Sequence, residues 1–245
     1  MPELQPANAS VTAIPEKNLG HGDAHYEVGY HEAFHGSMLA ADDLYEARAQ
    51  LAAEIYLTAA ERTQRVFEYG CGIGQNIAAL PNAAGWDISP DAVAAARAHG
   101  VRVYDALEDA PEGAWDVVIC RHVLEHLETP LAALQSMRRL LAPKGKVVLI
   151  IPKEWHWREP LRPDYTQHIY CWNFRSINNL MFRAGLRPTY NGYHYPLGWH
   201  AFMPIRRRFG HAAYAALSRA GGILRRNGEI IVHAVLGDAT PAPTR

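Results

Sequence analysis

Hydrophobic positions along the chain change period in a way that separates its elements. Between Met38 and Ala60, Leu39, Leu44, Leu51, Ile55 and Tyr56 recur at helical spacing, which predicts one or two amphipathic helices. VFEYGCGIG follows, an apolar strand run ending in a glycine cluster. AGWDI (84–88), VRVY (101–104), WDVVIC (115–120) and KVVLIIP (146–152) predict four further strands. Such runs are near-continuously apolar rather than alternating, the pattern of a parallel sheet covered on both faces. A short helix is expected over Asn76–Leu80, stopped by Pro81. Ser89-Pro90-Asp91 opens another, with Ser as N-cap and Pro at the first helical position, and Gly100 closes it. A third runs from about Pro130 to Leu141 and ends at the APKG turn.

Past Pro152 the alternation loosens. A helix over Phe174–Ala184, a strand RPTYNGY (187–193) and a last strand GEIIVHAVL (228–236) complete the pattern. The reading is an N-terminal arm, 1–37, ahead of a single domain, 38–245, with insertions at 153–172 and 197–227. A chain of 245 residues can bury one substantial core.

The glycine cluster is the first candidate for chemistry. Gly70, Gly72 and Gly74 follow the first strand directly, a geometry that brings backbone close to a ligand with N–H groups aimed at it. Dinucleotide loops space their glycines as G-x-G-x-x-G, whereas this one reads G-x-G-x-G. Glu68 stands two positions before the first glycine. A carboxylate there repels a pyrophosphate and suits a ligand bearing an ammonium group. Asp87 ends the second strand, about 20 residues on, where a carboxylate can accept both hydroxyls of a ribose. Asp105 follows the third strand, in position to accept from an adenine amino group. Any one of these acids could simply cap the next helix. Three at the ends of three consecutive strands form a pattern.

VFEYGCGIG, GWDISPDAV, WDVVICRHVLEHL and LLAPKGKVVLIIP together resemble the class I S-adenosylmethionine (SAM)-dependent methyltransferases, in particular the small-molecule branch of ubiquinone-pathway and polysaccharide-pathway enzymes. The resemblance covers about Val66–Pro152. It implies a Rossmann-like α/β fold, a seven-stranded mostly parallel sheet with an antiparallel last strand and helices on both faces. It also implies SAM as cofactor. Glu68 would meet the methionine ammonium, directly or through water, and Gly70, Cys71, Gly72 and Gly74 would pass beside methionine and ribose. Asp87 would bind the ribose, Ile88 would pack on the adenine, and Asp105 with Ala106 would address its edge. Arg121 and His122 would flank the methionine end. The stretch between Gly74 and Trp86 is shorter than the family pattern, which trims the first helix.

His122-Val-Leu-Glu125-His126 matches the H-x-x-E-H pattern of a metalloprotease class. It follows a strand of a nucleotide-type sheet, similar methyltransferases carry such a segment, and no third ligand is visible, so no metal is expected. His126 is a candidate beside the substrate, or a structural histidine. Residues 153–172 lie beyond a strand's carboxyl end, where open α/β sheets collect ligands. They hold His156, Asp164, His168 and Tyr170. His168 is the leading general-base candidate, since an imidazole titrates where a hydroxyl proton must be taken. Tyr26 and Tyr30, in HYEVGYHEAFHG, are candidates for a lid over the cofactor.

Charge narrows the partners. Lys and Arg number 24 against 25 Asp and Glu, which gives no electrostatic case for nucleic acid. Residues 197–227 nonetheless carry six arginines and no acid. Such a segment lies on an anionic membrane surface, meets a phosphorylated or lipid-linked acceptor, or forms a solvated basic face packed on the sheet. Three widely spaced cysteines, no leader-like N-terminus and no membrane-length apolar run lead to the expectation of reduced thiols in a cytoplasmic protein. O-methylation of a sugar, glycan precursor or similar metabolite is the first functional expectation. C- or N-methylation of a quinone-like or natural-product acceptor is the second. An NAD-dependent oxidoreductase and a non-catalytic SAM-binding protein are the rivals of other classes.

Overall fold

A computed structural model describes residues 35–36, 38–154, 166–194, 200–225 and 228–237. Helix α1 (Asp42–Tyr56) precedes strands β1 (Val66–Tyr69) and β2 (Ala83–Trp86), helix α2 (Pro90–Ala98) and strands β3 (Arg102–Val103) and β4 (Trp115–Arg121). Helix α3 (Pro130–Leu140), β5 (Leu141–Pro152), α4 (Phe174–Arg183) and β6 (Leu186–His194) follow. Helices α5 (Met203–Phe209) and α6 (His211–Arg225) then lead to β7 (Glu229–Leu236). The strands form one sheet in the order β3-β2-β1-β4-β5-β7-β6. β1 to β5 are parallel, and β7 runs antiparallel between β5 and β6. The parallel part is what the alternating pattern predicts, and the Rossmann-like sheet with its antiparallel β7 is what the family resemblance implies.

Side chains of a strand alternate between faces, so each central strand feeds two cores. Phe67, Val118, Cys120, Leu149 and Ile151 pack on one face with Leu134 and Met137 of α3 and Ile177 and Met181 of α4. Val66, Val117, Ile119, Val148 and Ile150 pack on the other with Ala52, Ala53 and Tyr56 of α1 and Ala96 of α2. Each such aliphatic side chain stabilises the fold by about 1.5–3 kcal/mol on full burial. Ser89 caps α2 as expected, its hydroxyl accepting from Ala92 N–H at 3.3 Å.

Several local expectations change. Residues 76–80 form turns rather than a helix, because only a few positions separate the glycine loop from β2. β5 begins at Leu141, not 146: Leu141 pairs with Trp115 across a register shift, and the APKG segment joins the strand edge. β3 is two residues long. The basic insertion packs on α1 rather than on the sheet. Met203, Tyr214 and Ala215 bury against Leu44, Ala47 and Leu51. Arg207 pairs with Asp43 at 2.6 Å, Arg219 with Glu54 at 3.5 Å and Arg206 with Glu46 at 3.9 Å.

Candidate active site

The carboxyl ends of β1, β2, β4 and β5 open on one cavity of about 460 Å³. Gly70, Cys71 and Gly72 wall it after β1, with Trp86, Asp87 and Ile88 after β2. Arg121, His122, Val123, His126 and Leu127 wall it after β4, and Pro152, Thr166 and His168 beyond β5. A second cleft, about 560 Å³, lies at the amino ends of β1 to β4. Its cations are already engaged, Arg65 with Asp116 and Arg102 over the Tyr104 ring, and it gathers no acid–base pair. The chemistry therefore belongs at the carboxyl ends, where a parallel sheet leaves its crevice.

The glycine loop departs from its expected role in one respect. Four of its N–H groups are not offered to a ligand. Gly70 and Cys71 donate to Trp86 O at 2.9 and 3.0 Å, Gly72 donates to Asp87 Oδ2 at 2.6 Å, and Gly74 donates to Cys71 O at 2.9 Å. Buried N–H groups must be satisfied, and this tight loop satisfies them internally. The positive φ of Gly70, 71°, is what lets the backbone turn here, and a Cβ at that position would collide with Val123. Tyr45 of α1 fastens the loop by donating to Ile73 O at 2.8 Å. Gly74 is absent from the cavity wall; it makes room for Val101 and Ala96.

Asp87 sits at the junction of loop and cavity. One oxygen accepts from Gly72 and the other from Ser89 N–H at 2.9 Å, which fixes the carboxylate at the rim. Ile88 stands beside it, 43% exposed, an apolar platform at the mouth. Glu68 is deeper than expected. It is fully buried beneath the loop and does not reach the wall; Asn76, which does, donates to its Oε1 at 2.6 Å. Its second oxygen has no hydrogen-bond partner among the described residues. Burial pushes the carboxyl up to about 8, against the Asn76 hydrogen bond and the Arg121 charge.

That shift has a testable sign. A carboxyl raised from 4.5 to about 8 keeps its proton in the folded protein where the unfolded chain has lost it. Stability from this group is complete at low pH and declines between those two values as pH rises. Glu68→Gln, which cannot ionise, is expected to melt several degrees higher relative to the unaltered protein at pH 8 than at pH 4.5, measured by calorimetry without ligand. A gap independent of pH would remove the buried acid from this account.

Asp105 and Ala106 are not in the cavity wall. β3 ends at Val103, and Asp105 turns outward to Arg97 of α2 at 2.7 Å with its side chain 84% exposed. Ala106 N–H goes to Asp109 at 3.3 Å. A two-residue strand cannot carry its following acid to the crevice. Tyr26 and Tyr30 lie outside the described residues, as do His156 and Asp164.

At the β4 end, Arg121 forms the centre of a buried polar knot. Its Nη2 lies 2.7 Å from Glu229 Oε1 and its Nε donates to Tyr56 Oη at 2.8 Å. Tyr56 donates in turn to Glu229 Oε2 at 3.1 Å, and His122 Nε2 lies 2.9 Å from Oε1. Burial alone would push the Glu229 carboxyl up; Arg121 and His122 outweigh it and hold it well below the ordinary range. His122 has φ 53°, a left-handed conformation uncommon outside glycine. Arg48 of α1 adds a second buried cation close to Arg121 and has no carboxylate at ion-pair distance among the described residues.

His168 is brought into the wall by Gln167, the other non-glycine residue with positive φ among the described residues, at 48°. Backbone hydrogen bonds from Ile169 and Tyr170 to Glu125 O pin this loop to the segment after β4. His168 Nδ1 pairs with Glu154, just past β5, and its ring meets His126 edge-on at 4.7 Å. Glu125, fully buried, has no hydrogen-bond partner for either carboxylate oxygen among the described residues, and burial raises it to about 8. Glu125, His126 and His168 thus place three potential ligand atoms within 4.8 Å of one another, the third donor that sequence alone did not reveal. Donors on one ion at about 2.1 Å each can be at most about 4.2 Å apart, so a metal would have to draw these side chains inward. As they stand, they form an acid–base cluster.

Sequence reasoning missed Glu154, Glu229, Tyr56, Asn76 and Arg48. Glu154 directly follows KVVLIIPK and could have been found as an acid beyond the carboxyl end of β5. The others carry no motif; folding alone brings Glu229 within reach of Arg121, 108 positions away.

Comparison with known proteins agrees with this layout. The "Methyltransferase domain" family matches residues 43–191. A ubiquinone biosynthesis O-methyltransferase of Xanthomonas oryzae pv. oryzae is 35% identical over 99 residues, covering 35% of this chain and 41% of the relative. The chain thus matches less than half the length of that relative. A Haloferax volcanii putative methyltransferase complexed with the Trm112 activator superposes with TM-score 0.57 at 16% identity, over 87% of this chain and 98% of the other. The Burkholderia thailandensis 1,6-didemethyltoxoflavin-N1-methyltransferase gives TM-score 0.51 at 17% identity, over 85% and 84%. Identities this low speak to the fold. The family match spans more than half the sequence and includes every strand end that walls the cavity: the chain belongs to the methyltransferase domain family.

Proposed function

We propose that this protein transfers a methyl group from SAM to a hydroxyl of a small-molecule acceptor. The observation that carries the reading is one cavity faced by both Asp87, fixed at the end of β2, and His168, paired with Glu154. The residues fit the cofactor class. Glu68 lies buried with an orphaned oxygen beneath the loop, an acid that a nearby cation would stabilise. The N–H groups of Gly70, Cys71, Gly72 and Gly74 already have acceptors within the protein, which weighs against a pyrophosphate held by these glycines. Asp87 and Ile88 would hold ribose and adenine, while Asn76, Arg121 and His122 would line the methionine end. Bound there, SAM supplies a methyl carbon made electrophilic by its sulfonium.

The protein's share is alignment, exclusion of water and one proton transfer. The acceptor oxygen forms a bond to the methyl carbon as the carbon–sulfur bond breaks, and its proton passes to His168. Glu154 on Nδ1 holds the ring and stabilises the imidazolium that results. A sugar or similar hydroxyl-bearing metabolite fits the polar side of the cavity, where His126, Thr166 and His168 stand together. A phenolic hydroxyl on a quinone-like precursor is the second reading, favoured by the name of the Xanthomonas relative.

Isothermal titration tests the cofactor assignment. Asp87→Ala is expected to weaken SAM binding by about 10- to 100-fold, since hydrogen bonds to a charged acceptor contribute about 1.5–3 kcal/mol each. SAM, and not NAD, should raise the melting temperature of the unaltered protein. Unchanged affinity in Asp87→Ala, or stabilisation by NAD alone, would reject the assignment. Transfer of label from methyl-labelled SAM into a small-molecule extract would identify the acceptor and separate an enzyme from a binding protein.

A further inference from the structure

Helix α6 is apolar on two sides, although among the described residues only one is covered. Tyr214, Ala215 and Ser218 bury against α1 and its neighbours. On the opposite side Ala212, Ala216, Leu217, Ala220, Ile223 and Leu224 are exposed. Ile223 is 62% and Leu224 83% exposed, and Phe209, just before the helix, is 63% exposed. Spacings of three and four residues align these side chains in one stripe along the helix. Among exposed residues from 212 to 224 the single charge is Arg219, which leans back to Glu54 at 3.5 Å. Solvent-facing helix sides of ordinary domains are polar, so a stripe of this kind marks a contact surface.

Charge indicates what the contact is. From 197 to 227 the sequence holds arginines at 206, 207, 208, 219, 225 and 226 and no acid. Arg206, Arg207 and Arg219 meet carboxylates of α1. Arg208 remains exposed beside the stripe, its guanidinium 5.5 Å from the centre of the Phe209 ring. An apolar stripe that begins beside an exposed arginine and lies in a segment with no acid suits an interface of acyl chains beneath negatively charged headgroups. No helix among the described residues is long and apolar enough to cross a membrane, so the contact would be peripheral.

We infer that α5 and α6 dock this protein onto an anionic membrane surface, with Phe209, Leu217, Ile223 and Leu224 entering the headgroup region and Arg208 meeting lipid phosphates. The surface lies outside the cavity and stands independently of the methyl-transfer reading. Vesicle co-sedimentation of the full chain tests it. Mixed phosphatidylglycerol–phosphatidylcholine vesicles should bind the protein, and pure phosphatidylcholine should bind it at least about tenfold more weakly, because the segment carries positive charge and no acid. Ile223→Glu combined with Leu224→Glu should reduce binding to the mixed vesicles at least about tenfold while leaving the melting temperature unchanged. Arg208→Gln should reduce it about fivefold. Equal binding to both vesicles, no binding, or full binding by the double variant would overturn the inference. So would a concentration-dependent dimer in sedimentation velocity that the double variant abolishes, without vesicle binding, since the stripe would then be covered by a second copy.

Discussion

His168→Ala is expected to slow methyl transfer to a hydroxyl acceptor by about 10²- to 10⁴-fold, the range for loss of a positioned general base, with SAM affinity nearly unchanged. The ring stands in the cavity wall, Glu154 fixes one nitrogen, and His126 braces its face. Removing it therefore takes away a proton acceptor rather than a cofactor contact. Glu154→Gln should lower turnover less, since an amide can still hold Nδ1 but carries no charge to face the imidazolium formed during transfer. Turnover with labelled SAM and the identified acceptor checks both. Wild-type turnover in His168→Ala would leave methyl transfer resting on alignment alone.

Glu229→Ala should be the most damaging single change to the fold described here. It would leave Arg121 buried with Tyr56 as its remaining close partner and would remove the anion facing His122. Breaking a buried ion pair from one side costs about 3–5 kcal/mol, because the orphaned charge stays desolvated. For a domain of this size the melting temperature should fall by roughly 10 °C. Glu229→Gln, which keeps an acceptor for Tyr56 or Arg121, should fall less. Because the native carboxyl is held below its ordinary 4.5, its contribution is complete above that value and is lost as pH falls. The difference between Glu229→Ala and the unaltered protein should therefore narrow in acid. A melting temperature within a degree or two of wild type would show that the knot does not hold the β4, β7 and α1 ends together.

Periodicity and punctuation alone carried the succession of strands and helices along the chain, the cap of α2 and the position of the glycine loop, because those depend on neighbours a few residues apart. Asp87 and His168 could be named from their places after strands, since a parallel sheet sends such positions to one crevice, whereas Ile88, Arg121 and His122 came from the family resemblance and His126 from the H-x-x-E-H motif. Strand length was less legible. With β3 ending at Val103, Asp105 belongs to Arg97 and the solvent, a result no local spacing reveals. Which N–H groups stay free, how deep Glu68 sits, and that Glu154, Glu229 and Tyr56 partner the named residues were decided only by tertiary structure. Hydrogen bonding and burial join groups far apart in the chain, and the desolvation that gives Glu68, Glu125 and Glu229 their character exists only once the sheet, α1 and the loops have closed around them.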